Sequence, residues 1–287
     1  MMGYAGLPCL GPSALSGVGG YTSAMLMANH GVPFLLALPA AVLMGAVVGA
    51  GLGWLCIRVR DDYLCIVTIG SNFLFWAILV YTTIAGVSVF GSSVGIFLAP
   101  AMLNIVGFSF ASPTSYMIVV WVLAGLLIFI DSRFSGSRIG LSLRCVRDSE
   151  QTAYCTGIDI VKVKVITFVV GSSYLALGGH LYVNYLLYAH PNFFDFGGSV
   201  PIILAPLFGG LGTLAGAIVG GIVVSGVPEL LRMTPIYRMV IFALLLVTIP
   251  ILQPRGLLGH GSYLRKKTID PLEAYLKRRA HATLKNP

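Results

Sequence analysis

The sequence predicts an all-α integral membrane protein, a polytopic helical bundle, on three observations. Of the 287 residues, 57% are hydrophobic and only 10% charged, whereas soluble domains carry about 25% charged residues. The charges are also segregated: residues 63–130 contain no Asp, Glu, Lys or Arg, and residues 165–228 contain only Asp195. Runs such as Ala40 to Ile57 and Leu214 to Val227 are apolar throughout. A transmembrane barrel would instead alternate in polarity over segments of about ten residues. The 35 glycines predict closely packed helices, because small residues let backbones approach one another within lipid.

The polar segment from Asp131 to Lys164 organises the chain. It holds Arg133, Arg138, Arg144, Arg147, Lys162 and Lys164 against Asp131, Asp148, Glu150 and Asp159. An island of charge between uncharged stretches reads as a water-exposed connection between spans, and its basic excess places it on the cytoplasmic side. Ser137 or Ser142 can cap a helix running to about Thr156. Arg144 with Asp148, and Arg147 with Glu150, are spaced to lie along one helical face. Gly157 is the expected stop, Ile158 the apolar residue that packs back onto it, and Asp159 the cap of the helix that re-enters the membrane. Ile139, Leu143, Val146 and Ala153/Tyr154 form an apolar stripe interrupted by Glu150. A short helix of this kind suits a groove on a partner; a solvated tether between two spans is the alternative.

The run RIGLSLRCVRDSE at 138–150, with Ala153 and Gly157-Ile158-Asp159, resembles the cytoplasmic coupling loop of branched-chain amino-acid ABC importer permeases of the LivM type. Gly140, Leu143, Arg144, Arg147, Asp148, Glu150, Ala153 and Gly157 match, while Cys145 and Asp159 depart from the usual Ala and Asn. The resemblance implies a bundle with discontinuous helices. It implies that this loop docks on a separate ATP-hydrolysing subunit through Arg144, Arg147, Asp148, Glu150, Ala153 and Gly157. The implied partners are ABC ATPase subunits, a second, LivH-like permease and an extracytoplasmic binding protein. The implied substrate is Leu, Ile or Val, crossing the bacterial plasma (inner) membrane. Urea or short amides remain open, because related permeases carry them.

Taken in order, residues 3–20 bring glycines at 3, 6, 11, 17, 19 and 20 and prolines at 8 and 12. Such a stretch is expected to break regular helix, and irregular backbone at membrane depth survives where protein or a water-filled cavity satisfies it. It is therefore a candidate lining of a translocation path, at Tyr4, Gly6 and Gly11, with a flexible N-terminus as the alternative. Gly3, Tyr4, Ala5, Gly6, Leu10, Gly11, Ala14, Gly17, Gly19 and Tyr21 match the family's motif. Further helices precede that motif in the family. The resemblance thus implies either a truncated reading frame or a permease without those helices.

Phe34 to Ile57 is the first full span, about 36 Å of helix. A charged turn follows at Arg58 to Asp62, and Tyr63 to Ala85 crosses back. Arg58, Arg60, Tyr63, Val67 and Thr68 match the family. Asn72 lies inside this span, where a polar group is costly unless hydrogen-bonded; it faces either the path or another helix. Residues 86–115 carry no charge and are assigned outside. Within them Phe90 to Gly95 resembles a family motif, so Ser92 and Ser93 are candidates to meet a small zwitterion, or simply turn residues. Tyr116 to Ile130 crosses inward and Val165 to Tyr188 outward. His180 and Asn184, four apart, either line a path or bond between helices.

Residues 189–213 carry Asp195, Pro201, Pro206 and a glycine cluster, which suggests a discontinuous or re-entrant helix. Ser199, Gly209, Gly210, Gly212, Thr213, Gly216, Gly220 and Pro228-Glu229-Leu230 match the family, and Pro201 replaces its intramembrane acid. Gly209, Gly210 and Gly212 are further path candidates. Ile236 to Leu252 is the expected last span. The chain therefore reads as one permease domain at 1–259, with its coupling loop at 131–164, and a basic cytoplasmic tail at 260–287.

Other function classes fit less well. The net charge of +8 sits in the island and the tail, where topology and anionic lipid explain it without nucleic acid. Cys9, Cys56, Cys65, Cys145 and Cys155 show no metal spacing and are read as structural, without a disulfide. His30, His180 and His190 have no companion residues for a metal or catalytic set, so no catalytic or metal residue is expected. No phosphate-binding loop of the GxxxxGK[ST] kind is present, so ATP would be bound by a partner, and no cofactor by this chain. An ion-coupled secondary transporter is the alternative. It would need ionisable groups within its spans, and this chain has almost none.

Overall fold

Among the described residues, five helical stretches of the computed structural model are long and apolar enough to cross a membrane: Phe34–Cys56, Tyr63–Tyr81, Thr114–Ser135, Ile160–Leu186 and Pro191–Gly209, the last joining a 3-10 turn at Pro191–Phe194 to the helix Phe196–Gly209. The structure describes residues 1–57, 59, 61–84, 87–88, 94–99, 104–105, 108–109, 113–230, 248 and 256. Arg58, Arg60, Ser92, Ser93, the expected tail and most of the expected last span lie outside the described residues. The helices are α1 Met2–Ala5, α2 Pro12–His30, α3 Phe34–Cys56, α4 Asp61–Tyr81, α5 Pro113–Ser135, α6 Arg138–Asp148, α7 Glu150–Cys155, α8 Ile160–Leu186, α9 Phe196–Gly209 and α10 Leu214–Leu230. Six two-residue strands pair antiparallel: β1 Thr83–Ile84 with β2 Val87–Ser88, β3 Ile96–Phe97 with β6 Tyr188–Ala189, and β4 Asn104–Ile105 with β5 Phe108–Ser109. The chain divides into two compact units, 1–200 and 201–287.

In the first unit α2, α3 and α8 pack through small residues. Ala37, Ala41, Gly45, Gly49 and Gly53 recur every fourth residue of α3 and are all buried. A methyl group on Gly49 would run into Ser172 Oγ and the Phe168 carbonyl, and one on Gly45 into Ala176. On α2, Gly19 lies against the Ala176 backbone, and Gly179 of α8 lies against Ser16. This corrects one expectation. Residues 12–20 form the start of a continuous helix rather than a break, because Gly17, Gly19 and Gly20 admit neighbouring side chains and backbone. Each glycine costs about 1 kcal/mol of helix propensity, and dispersion contacts at close approach offset it.

Two apolar cores mark opposite ends of this unit. One joins Phe34 and Ala37 at the start of α3 to Leu79 of α4, Val183 of α8, Leu98 and Ala189. The other joins Cys56 at the end of α3 to Leu64 of α4, Val163 and Phe168 of α8, and Leu143, Val146 and Ala153. The charged island and the α3–α4 connection therefore share one end, and the β3–β6 pair lies at the other. That arrangement agrees with the charge-based topology.

In the second unit, which begins inside α9, residues 201–209 pack against α10. A methyl on Gly220 would meet the Ala205 carbonyl, and one on Gly209 the Gly216 carbonyl. The expected interrupted piece is a helix of 14 residues containing Pro201 and Pro206, about 21 Å long against a hydrocarbon core of about 30 Å.

Candidate functional site

The island folds as a helical hairpin, and its caps follow from local chemistry. Ser137 Oγ accepts from Gly140 N at 3.2 Å to start α6. Gly157 ends α7 at φ +79°. Its N–H donates to Tyr154 O at 3.0 Å, and Ile158 N donates to Ala153 O at 3.1 Å, the paired closing bonds of a left-handed helix end. Asp159 Oδ1 accepts from Lys162 N at 3.1 Å to start α8.

The single helix expected up to Thr156 is corrected. It breaks at Ser149, which is extended (φ −164°, ψ 116°) and whose Oγ accepts from Thr152 N at 3.2 Å. A serine side chain that bonds a nearby backbone N–H competes with helix continuation, so Ser149 both ends α6 and caps α7. The break falls between Arg147 and Glu150, while Arg144 and Asp148 stay together in α6. Arg147 Nη1 donates to the Gly3 carbonyl at 2.7 Å rather than pairing with Glu150. Glu150 Oε1 lies 2.6 Å from Lys164 Nζ, and the lysine side chain is only 8% exposed. Arg144 Nη2 donates to Ser135 Oγ at 2.8 Å rather than lying against Asp148.

The hairpin is consequently two-faced. Leu143, Val146 and Ala153 are buried. Leu141 is 63% and Tyr154 74% exposed, with Arg138, Cys145, Asp148, Gln151 and Cys155 exposed around them. The expected stripe therefore splits, with Ile139 and Tyr154 outside and the other three within. Of the predicted coupling residues, Asp148 stands outward and Ala153 packs inward. Arg144, Arg147 and Glu150 are tied to α5, α1 and α8.

Tyr4 and Gly6, predicted for a path, lie beside this hairpin. Tyr4 Oη donates to Asp131 Oδ2 at 3.1 Å, and burial, reinforced by that carboxylate, pushes the phenol pKa up. Gly6, at φ +69°, lies against the Arg147 side chain.

Gly11 and Asn72 belong to a second, buried cluster. Gly11 packs on the Thr68 carbonyl so closely that no side chain fits, and Leu10 N donates to Thr68 Oγ1 at 3.0 Å. Gly11 provides no side-chain cap for α2, and Pro12 has no N–H. The cap comes from elsewhere: Ser13 N donates to Ser199 Oγ at 3.2 Å. Ser13 Oγ lies 2.6 Å from the Asp195 carbonyl, 2.7 Å from Ser199 Oγ and 2.7 Å from the Asn72 Nδ2 that donates to it. Ser13, Asn72 and Ser199 are fully buried. Asn72 Oδ1 has no hydrogen-bond partner among the described residues. Asn72 of α4 thus contacts α2 through Ser13.

His180 and Asn184 also bond between helices, through Ser23 of α2. Asn184 Nδ2 donates to the His180 carbonyl at 2.7 Å and to Ser23 Oγ at 3.0 Å. Ser23 Oγ lies 2.8 Å and Asn184 Nδ2 3.3 Å from His180 Nδ1.

Gly209, Gly210 and Gly212 form the turn of the second unit. Gly210 and Gly212 adopt φ of +118° and +80°, and Thr213 Oγ1 accepts from Gly216 N at 3.2 Å to cap α10.

Sequence reasoning missed Ser13, Ser23, Lys164 and the capping role of Ser199. A partial signal existed in Lys164, a cation one turn inside an otherwise apolar span. The serines gave none, because their partners lie far along the chain.

Long apolar helices locked through glycine, with one charged hairpin closed over an end of the bundle, define a multi-pass helical membrane protein. The chain belongs to the family of branched-chain amino acid transport system permease components, whose model matches residues 1–250. It is 26% identical over 281 residues to the high-affinity branched-chain amino acid transport permease LivM of Escherichia coli K12, covering 90% of this chain and 65% of that protein. It is 30% identical over 155 residues to LivH of Salmonella typhimurium, covering 52% of this chain and 49% of that one. The chain therefore spans just under two thirds of the length of the LivM relative. No solved structure matches.

Proposed function

We propose that this chain is a translocating subunit of an importer of leucine, isoleucine and valine, driven by a separate ATPase docked on the outward face of the α6–α7 hairpin. The observation that carries the reading is the exposure of Leu141 and Tyr154 on an element whose other side is pinned to the bundle at three places. Exposed apolar side chains ringed by charge suit a groove on another protein. Asp148 belongs to this docking face. Arg144, Glu150, Ala153 and Gly157 set the hairpin's position and shape, and Arg147 ties residue 3 to it. A LivH-like permease and an extracytoplasmic binding protein complete the proposed assembly. The path residues remain proposals at Tyr4, Gly6, Gly11, Asn72, Ser92, Ser93, Gly209, Gly210 and Gly212.

The test is uptake of radiolabelled leucine by vesicles holding the chain with its ATPase, sister permease and binding protein. Uptake is expected to require ATP and to fall with Leu141→Asp, together with co-purification of the ATPase. Equal uptake without ATP overturns the importer reading.

A further inference from the structure

Residues 3–13 are bonded at both ends and along their length. At one end Arg147 of α6 donates to the Gly3 carbonyl at 2.7 Å, and Tyr4 Oη reaches Asp131 of α5 at 3.1 Å. Arg147 grips the segment twice, because its Cγ lies 3.1 Å from where a Cβ on Gly6 would stand. Residues 6–11 then run without helix. Leu7 and Cys9 are buried, Leu10 N bonds to Thr68 of α4, and Gly11 packs on the Thr68 carbonyl. At the far end Ser13 is held by Ser199, Asn72 and the Asp195 carbonyl.

We propose that residues 3–13 are a strap carrying displacement of the coupling hairpin to the buried Ser13–Asn72–Ser199 hub, with Arg147 as the positioning residue that fastens it. The inference rests on the importer reading above and goes beyond docking, since it assigns where motion goes after the hairpin moves. A charge-assisted bond to a carbonyl is stronger and shorter than a neutral one. A segment bonded at Gly3, Tyr4, Leu10 and Ser13 has little slack to absorb a shift of α6. The hub is the receiving end because its bonds join α2, α4 and the first turn of α9. Pulling on Ser13 therefore loosens three elements at a point where each lost bond leaves a buried polar group unmatched. Packed elements of this kind switch between discrete arrangements rather than deform continuously.

The experiment compares wild type, Arg147→Ala, Arg147→Lys and Gly6→Ala in the complete transporter. Arg147→Ala is expected to keep ATPase co-purification within about twofold while uptake per ATP hydrolysed falls about tenfold or more. Lys can still donate to the Gly3 carbonyl, so Arg147→Lys should recover most of the coupling. Gly6→Ala should lower it by displacing the Arg147 side chain. Unchanged uptake per ATP in Arg147→Ala, no recovery by lysine, or loss of ATPase association overturns the strap. Failure of ATP-driven uptake in wild type overturns the importer reading instead. The strap is then judged on the isolated chain by hydrogen exchange at the Leu10 amide. Arg147→Ala should speed that exchange about tenfold or more, and an unchanged rate overturns the strap.

Discussion

Lys164 Nζ lies 2.6 Å from Glu150 Oε1 across the hairpin base, joining the first turn of α7 to the first turns of α8. The lysine is almost wholly buried and the carboxylate 38% exposed. The pair therefore works as a pin rather than a surface decoration. Breaking a fully buried pair from one side costs about 3–5 kcal/mol, and water access at Glu150 lowers the expectation to about 2 kcal/mol. Glu150→Ala should destabilise the protein by that amount in a denaturant titration in detergent. The double variant Glu150→Gln with Lys164→Met should recover most of it, because no buried charge is left unpaired. Equal losses in the single and double variants would exclude the pin.

Ser199 supplies the helix cap that Gly11 and Pro12 cannot. Ser199→Ala removes the acceptor of a buried N–H and is expected to cost about 1–2 kcal/mol. Ser199→Thr keeps the hydroxyl and should cost less, provided its methyl is accommodated. Thermal midpoints of the two variants, measured side by side, check the order; alanine no worse than wild type would show that Ser13 N–H needs no cap.

The α3–α8 seam has no spare volume at Gly49. Gly49→Ala drives a methyl into Ser172 Oγ and the Phe168 carbonyl, an overpacking cost of about 1–3 kcal/mol. Ser172→Ala in the same chain should relieve only part of it, since the carbonyl at 2.7 Å from the new Cβ stays in place. Full relief in that double-mutant cycle would mean the backbone moves freely there, contrary to the packing described.

Asp159 gives a pH dependence of known sign. The Lys162 backbone N–H, and then its side chain, hold the Asp159 pKa below the usual carboxylate value. A depressed folded-state pKa contributes stability that is present above the unfolded value and disappears as pH falls through the folded value. Asp159→Ala should therefore lower the thermal midpoint at neutral pH, with the difference from wild type shrinking in acid. A gap that widens as pH falls would contradict the cap.

Gly157 separates conformational strain from packing. Among the described residues, and beyond its two chain neighbours, no atom lies within 4 Å of where its Cβ would stand, so Gly157→Ala meets no clash and pays only for φ +79°, about 1 kcal/mol. Gly157→Asn, which tolerates that region better, should cost less in the same stability assay. Alanine and asparagine behaving alike would remove the left-handed turn as the reason for glycine.

Much of this protein was legible from residue chemistry. Charge segregation and apolar length gave the spans of α3, α4, α5 and α8. Ser137, Gly157 and Asp159 gave the ends of the hairpin and the start of α8, because caps and left-handed turns are settled by atoms within a few residues of one another. That the island and the α3–α4 connection share one end followed from their charges. The family followed from the short runs at 138–159 and 3–21.

Tertiary structure decided the rest. Within the stretch 3–20 expected to be broken, Gly17, Gly19 and Gly20 instead lie inside α2, since what α4, α8 and Phe194 press against them outweighs their propensity. Ser149 rather than Thr156 ends α6, and the two i, i+3 and i, i+4 charge pairs give way to Gly3, Lys164 and Ser135. Asn72 meets Ser13, 59 positions away, and Ser13 meets Ser199, 186 positions away. Hydrophobicity and capping are properties of a short window and are written in it. The choice of partner for a buried polar group depends on which helices lie alongside, and only the folded chain brings those atoms within hydrogen-bonding distance.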